Sequence, residues 1–238
     1  MTNGEMYKTL SYSFKEVLDR YGIHKKTVNV EAKGFDGSEL PYGKEVTLSA
    51  EYAGVIGECS TSFVRSPAQF NGTLLQILEL DIENDPYERS IYIASVNAVM
   101  NKYKLADDCV GCSHDHKEKC AEYIVHNYKK NNGNVNVLLV GYQPHILEAL
   151  AANFPVRLLD LDPDNIGKTY FGVTSEHGAD FADAVRWADV ILCTGSSLSN
   201  GTITNYVNLP KDVSFYGTTI AGCARVFGLK RLCPYSKN

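Results

Sequence analysis

The chain of 238 residues carries 23 basic and 28 acidic side chains, a net charge of -5 and 44% apolar residues, enough to bury an ordinary core. No basic run goes beyond pairs such as Lys129-Lys130 and Lys230-Arg231, which argues against nucleic acid as the partner. The opening MTNGEMYKTL has neither region of an export signal and no apolar run approaches a membrane span, so a cytoplasmic protein without a membrane partner is expected.

In that reducing compartment the seven cysteines read as free thiols, metal ligands or core packing rather than as a disulfide framework. The sequons at Asn71 and Asn200 read as turns. Along the chain, Met6, Leu10, Phe14, Val17, Leu18 and Tyr21 recur at helical spacing, and Gly22 supplies a stop. TVNVEAKGF and EVTLSAEYAGVIGECSTSF alternate and are β-branched, which predicts two or three antiparallel strands with DGSELPYG as turn material. GTLLQILEL and DPYERSIYIASVNAVMNKY return to helical periodicity, with Pro86 placed for a first turn. Strands followed by helices make residues 1–108 an α+β domain.

The segment CVGCSHDHKEKC, at residues 109–120, supports two readings. As a metal site, Cys109, Cys112, His114, His116 and Cys120 offer donors for a transition ion such as zinc or iron, although only one C-x2-C pair is present. As the entry to a helix beginning near Ser113 or Asp115, it places Cys120, Ala121, Ile124, Val125 and Tyr128 on one apolar stripe. On a continuous helix the two histidines point about 200 degrees apart. Residues 109–132 are thus a linker helix bearing a cysteine-histidine cluster.

Residues 133–238 alternate strand and helix. NVNVLLV, VRLLDLD, DVILCTG and VSFYGTT are the strands, and PHILEALAANF, FADAVRWA and IAGCARVFGL the helices, which predicts a doubly wound parallel sheet with a ligand crevice at its strands' carboxyl ends. The first such loop, Gly141, Tyr142, Gln143, Pro144, lacks the second glycine of a dinucleotide fingerprint, so NAD is disfavoured. Asp160, 19 residues past Gly141, stands where an acidic residue meets ribose hydroxyls; Asp162 can share that role, or both simply end a strand. Thr194, Gly195, Ser196, Ser197, Asn200 and Thr202 follow one strand, and Gly217, Thr218 and Thr219 the next, as ligand contacts or helix caps. For acid-base work the candidates are His145, His177 and, from the front domain, Glu58, each also readable as polar surface. There is no G-x-S-x-G elbow, Walker loop or paired His-Glu zinc helix.

GTLLQILELDIENDPYERSIYIASVNAVMN, LLVGYQPHI, ADVILCTGSSLSNGTI and YGTTIAGCARVFGLKRLCPY resemble successive signatures of the heavy-metal chelatase family, a domain of unknown function. The likeness runs from about residue 10 to residue 235. It implies a small enolase N-terminal-like domain followed by a Rossmann-like domain, a site between them, and a role around pterin-, flavin- or siderophore-like molecules and heavy metals. By position it implies site segments at residues 141–144, 194–202 and 217–219, with Asn97 approaching from the ASVNAVMN helix. The cysteine-histidine segment lies outside that pattern. Three functions follow as expectations: an enzyme of condensation, hydrolysis or group transfer on a small molecule in the interdomain cleft; a non-catalytic binder of a metal or metal complex; or an S-adenosylmethionine-dependent methyltransferase with Asp160 on the ribose. Substrate, metal and any homo-oligomer are left open.

Overall fold

A computed structural model describes residues 1–35, 44–113 and 116–235. Helix α1, Asn3–Tyr21, begins in a capping box between Thr2 and Glu5 and ends where Gly22 turns left-handed at φ 63°. Its buried face is Met6, Tyr7, Leu10, Phe14 and Leu18, close to the stripe that the spacing predicts. Strands β1 (Thr27–Lys33), β2 (Val46–Tyr52), β3 (Val55–Thr61) and β4 (Gln69–Thr73) form an antiparallel sheet in the order β3-β2-β1-β4. The β2-β3 hairpin turns through Ala53 and Gly54, both at positive φ, as the twist of a tight hairpin demands. Strand β4 adds to the expected two or three: QFNGT has few β-branched residues and runs straight into helix α2, Leu74–Leu78, so no alternating pattern betrays it.

Helix α3, Pro86–Lys102, is capped by Asp85, which accepts from the Tyr87 and Glu88 N–H groups, and carries Pro86 in its first turn. From Tyr87 to Asn101 nearly every residue is buried, so the helix shows no single apolar face and behaves as core on all sides. At Gly57 a Cβ would fall 2.0 Å from the Ala98 nitrogen: β3 lies directly against this helix, and only glycine fits. Helix α4, Lys117–Asn132, buries Cys120, Ala121, Ile124, Val125 and Tyr128, the stripe that the helix reading of that segment predicts, although it starts slightly later than expected.

The rear half runs β5 (Val137–Val140), α5 (Pro144–Ala151), β6 (Val156–Asp160), β7 (Thr169–Tyr170), β8 (Val173–His177), α6 (Phe181–Trp187), β9 (Val190–Thr194), α7 (Ser196–Asn200), β10 (Asp212–Tyr216) and α8 (Ala221–Phe227). Its sheet has the order β10-β9-β5-β6-β8-β7 and is parallel except for β7, which pairs antiparallel with β8. The chain moves outward from β5 through β6 to β8, then returns to build β9 and β10 on the other side. The winding reverses between β5 and β9, and a ligand crevice belongs there.

One core joins the halves. Met6, Phe14, Tyr92 and Val99 share an apolar cluster with Leu138, Ile191, Cys193 and Phe215, because α3 packs on β2 and β3 and also meets α7 and α8. On the opposite face of the parallel sheet, Tyr128, Leu147 and Leu150 pack over Leu139, Leu158 and Leu192. The fold is thus an α+β unit followed by a doubly wound parallel sheet, as expected. Among the described residues no helix is long and apolar enough to cross a membrane.

Candidate functional site

A cavity of about 580 Å³ lies between the front sheet and the carboxyl ends of the rear strands. Its floor is the switch point. Gly141 and Tyr142 follow β5, Thr194 and Gly195 follow β9, and Gly217 and Thr218 follow β10. Gly141 sits at φ 88°, with Thr194 Cγ2 only 2.8 Å from where a Cβ would be, and a Cβ on Gly195 would lie 2.9 Å from the Ile220 nitrogen. These contacts bring the three turns into one surface. Beneath them the Tyr216 hydroxyl donates to the carbonyls of Gly141 (2.9 Å) and Val140 (3.2 Å).

Asp160 lines the cavity, but both its oxygens are engaged: Oδ2 accepts from the Tyr142 N–H at 2.6 Å and Oδ1 from the Asp162 N–H at 2.7 Å. It fixes the loops after β5 and β6 to each other. Asp162, also in the lining, accepts from Lys44 Nζ at 2.8 Å, and Asp164 meets the same ammonium at 3.0 Å, so an ion-pair latch crosses from front to rear. Gln143 lines the cavity while its side chain caps α5 through the Ile146 N–H at 2.8 Å.

The hydroxyl loops divide. Thr194, Ser196, Asn200, Thr202, Thr218 and Thr219 face the cavity. Ser197 is fully buried, outside the lining, and donates to the Thr194 carbonyl at 2.7 Å. Thr219 Oγ1 accepts from the Ser60 N–H at 2.8 Å, and Ser199 Oγ donates to the Ser60 carbonyl at 2.8 Å, which moors β3 to the rear turns. Asn97 is also outside the lining. Its buried amide donates to the carbonyls of Glu58 (2.8 Å), Thr218 (3.1 Å) and Thr219 (3.3 Å) and accepts from the Gly222 N–H at 2.8 Å, so it joins the halves below the site.

The front wall supplies Glu45, Thr47, Ser60 and Ser62, none of them picked out by the sequence. Glu45 presents surface to the open cavity yet is otherwise surrounded by protein. Ser196 Oγ donates to its Oε2 at 3.2 Å. Burial raises its carboxyl above the ordinary range; the Ser196 hydrogen bond opposes this, and the negative charge of Asp160 adds to it. A single glutamate after turn material carries no motif, and only the folded chain brings it opposite Ser196.

The expected acid-base residues lie elsewhere. His145 is in the first turn of α5, outside the lining. His177 is exposed, and its Nδ1 accepts from the Ala179 N–H at 2.9 Å, capping a short 3-10 turn. Glu58 is buried outside the lining, paired with Lys33 and accepting from the Gly111 N–H at 2.7 Å, so it anchors the linker segment to β3.

The proposed metal ligands scatter. Cys109 is buried, its thiol directed at the carbonyls of Ala106 and Asp107 and pushed up to about 12, chiefly by burial. His116 Nδ1 lies 3.2 Å from Ser113 Oγ and its ring packs on Tyr235. His114 lies outside the described residues. Cys112 and Cys120 do line the cavity, beside Gly111, Lys117 and a cysteine from far along the chain, Cys233. Among the described residues no group of three His, Cys, Asp or Glu side chains is arranged to hold a metal ion.

A family model described as "Putative heavy-metal chelation" (DUF364) matches residues 126–228, which bears out the resemblance over that part of the chain. Two solved structures share the fold. A DUF364 protein of unknown function from Pyrococcus horikoshii is 14% identical with a TM-score of 0.58, covering 90% of this chain and 79% of its own. Another, from Desulfitobacterium hafniense DCB-2, is 15% identical with a TM-score of 0.53, covering 94% and 84%. No curated protein matches the chain.

Proposed function

We propose that the protein binds a small polar molecule between its front sheet and the carboxyl ends of its rear strands, and acts on it by proton transfer through Glu45. The observation that carries this reading is the placement of the Glu45 carboxyl, which accepts from Ser196 at 3.2 Å and faces a cavity of about 580 Å³ lined by hydroxyl and amide side chains together with Asp160, Asp162, Lys117 and apolar residues; its surroundings shift it towards the neutral form. That volume suits a compact organic ligand. The neutral side chains orient such a ligand by hydrogen bonds without demanding a charge from it. A carboxyl whose surroundings favour its neutral form can donate a proton as a general acid and, once ionised, take one back.

Condensation, hydrolysis or group transfer on a pterin-, flavin- or siderophore-like compound in the cytoplasm is the finer form of this proposal, and the family description adds a metal-related role. A methyltransferase has less support. Asp160 already accepts two backbone N–H groups, and the loop after β5 lacks the glycine that lets a backbone approach a cofactor. Thermal melting against S-adenosylmethionine, pterins and flavins tests the proposal. A ligand at about a hundred times its Kd stabilises by about 2.7 kcal/mol, or about 5–10 °C for a chain of this size. Failure of the whole panel to shift the melt contradicts it.

A further inference from the structure

The cavity has one wall that proton transfer leaves unused. Among the described residues it holds Cys112, Cys120 and Cys233, brought from the linker, from α4 and from the tail beyond α8. Cys59, Cys193 and Cys223 are instead buried in the apolar core. Cys120 and Cys233, from distant parts of the chain, thus share one wall of the cavity, where a side-chain contact joins them.

Both ends of this contact are fixed by the fold. Cys120 lies on the buried stripe of α4. The tail is sewn to β10: the Phe215 N–H donates to the Lys230 carbonyl and the Leu232 N–H to the Phe215 carbonyl, each at 2.8 Å. Leu232 is buried, and Arg231 donates to the carbonyls of Gly217 (2.9 Å) and Asp108 (2.7 Å). The arrangement also reaches the floor of the cavity, since Gly217 belongs to its lining.

We propose that Cys120 and Cys233 are a reversible dithiol-disulfide pair in the wall of the cavity, oxidised by low-molecular-weight disulfides and restored by thiols. Cys233 is half-buried and faces the cavity, whereas Cys120 is buried on the inner stripe of α4. Cys233 is therefore the attacking sulfur. Its thiolate displaces one thiolate from the small disulfide and forms a mixed disulfide; Cys120 gives up its proton, attacks the Cys233 sulfur and expels the second. Two electrons pass from the protein sulfurs to the small disulfide, and the two protein protons end on its two thiol products. In a reducing compartment the pair rests as thiols and closes when the disulfide pool rises. The new bond ties α4 to the tail that holds the Gly217 turn, so oxidation stiffens this wall of the cavity.

The inference is independent of what the cavity binds. The test is to incubate the intact folded protein with oxidised glutathione, alkylate the remaining thiols and map the peptides by mass spectrometry. The expected product joins Cys120 to Cys233, reverts with dithiothreitol, persists in Cys112→Ser and is absent in Cys233→Ser. Full alkylation of both cysteines after treatment overturns the proposal. So does a stable glutathione adduct on Cys233 that never resolves, or a main product that joins Cys112 to either partner.

Discussion

Glu45 has two tendencies in competition. Its burial favours the neutral carboxyl, while the Ser196 hydrogen bond favours the ionised form. Because the folded pKa is raised, the stability that this group contributes is complete below the ordinary value near 4.5 and is lost as pH climbs through the raised value. Glu45→Gln, which mimics the neutral carboxyl, removes that loss. Thermal melts across a buffer series check this: the wild type is expected to fall progressively below the variant from weakly acidic pH upward, and parallel curves would refute the assigned environment. The sequence could not flag this residue, because its environment is burial in the folded chain, modified by Ser196 and Asp160, each more than a hundred positions away. Asn97 teaches the converse. It is placed by its helix near the rear turns, as the resemblance implies, yet all its polar reach is taken by backbone partners, and it acts as a tie rather than as a ligand contact.

At the scale of elements, α1 and α4 were legible because each buries one face, and a one-sided helix writes its period into the sequence. The burial of α3 on all sides was less so: its Ser90, Ser95, Asn97 and Asn101 look like a polar face, but each finds a buried hydrogen bond. Strand β4 and the β7-β8 hairpin escaped notice for a different reason. Strands β4 and β7 are edge strands and β8 lies next to an edge, where a strand need not carry an apolar run. The contact between β3 and α3 yields a sharp prediction. Gly57→Ala drives a methyl into the Ala98 backbone, and overpacking of this kind costs about 3 kcal/mol, readable as a lower urea midpoint. A variant as stable as the wild type would mean that the helix does not lie so close.

For the molecule as a whole, the doubly wound order was legible from alternating strands and helices, and the rule that ligands sit where the winding reverses pointed to the turns at Gly141, Thr194 and Gly217. Nothing in the sequence shows what stands opposite those turns. Thr47 and Ser60 reach the cavity because α3 locks the front sheet over the rear one, and Lys117 and Cys233 come to it from α4 and the tail, tertiary events with no local trace. The cavity is therefore a property of the assembled halves, and a change on its front wall must be felt by a ligand resting on its rear turns. The most direct measurement is calorimetric titration of a ligand found in the melting panel into the wild type and into Thr47→Trp, whose indole fills the space beside Glu45. The account predicts a loss of at least about tenfold in affinity, some 1.4 kcal/mol, with an unchanged melting temperature for the ligand-free variant; equal affinity for both proteins would place the ligand somewhere else and contradict it.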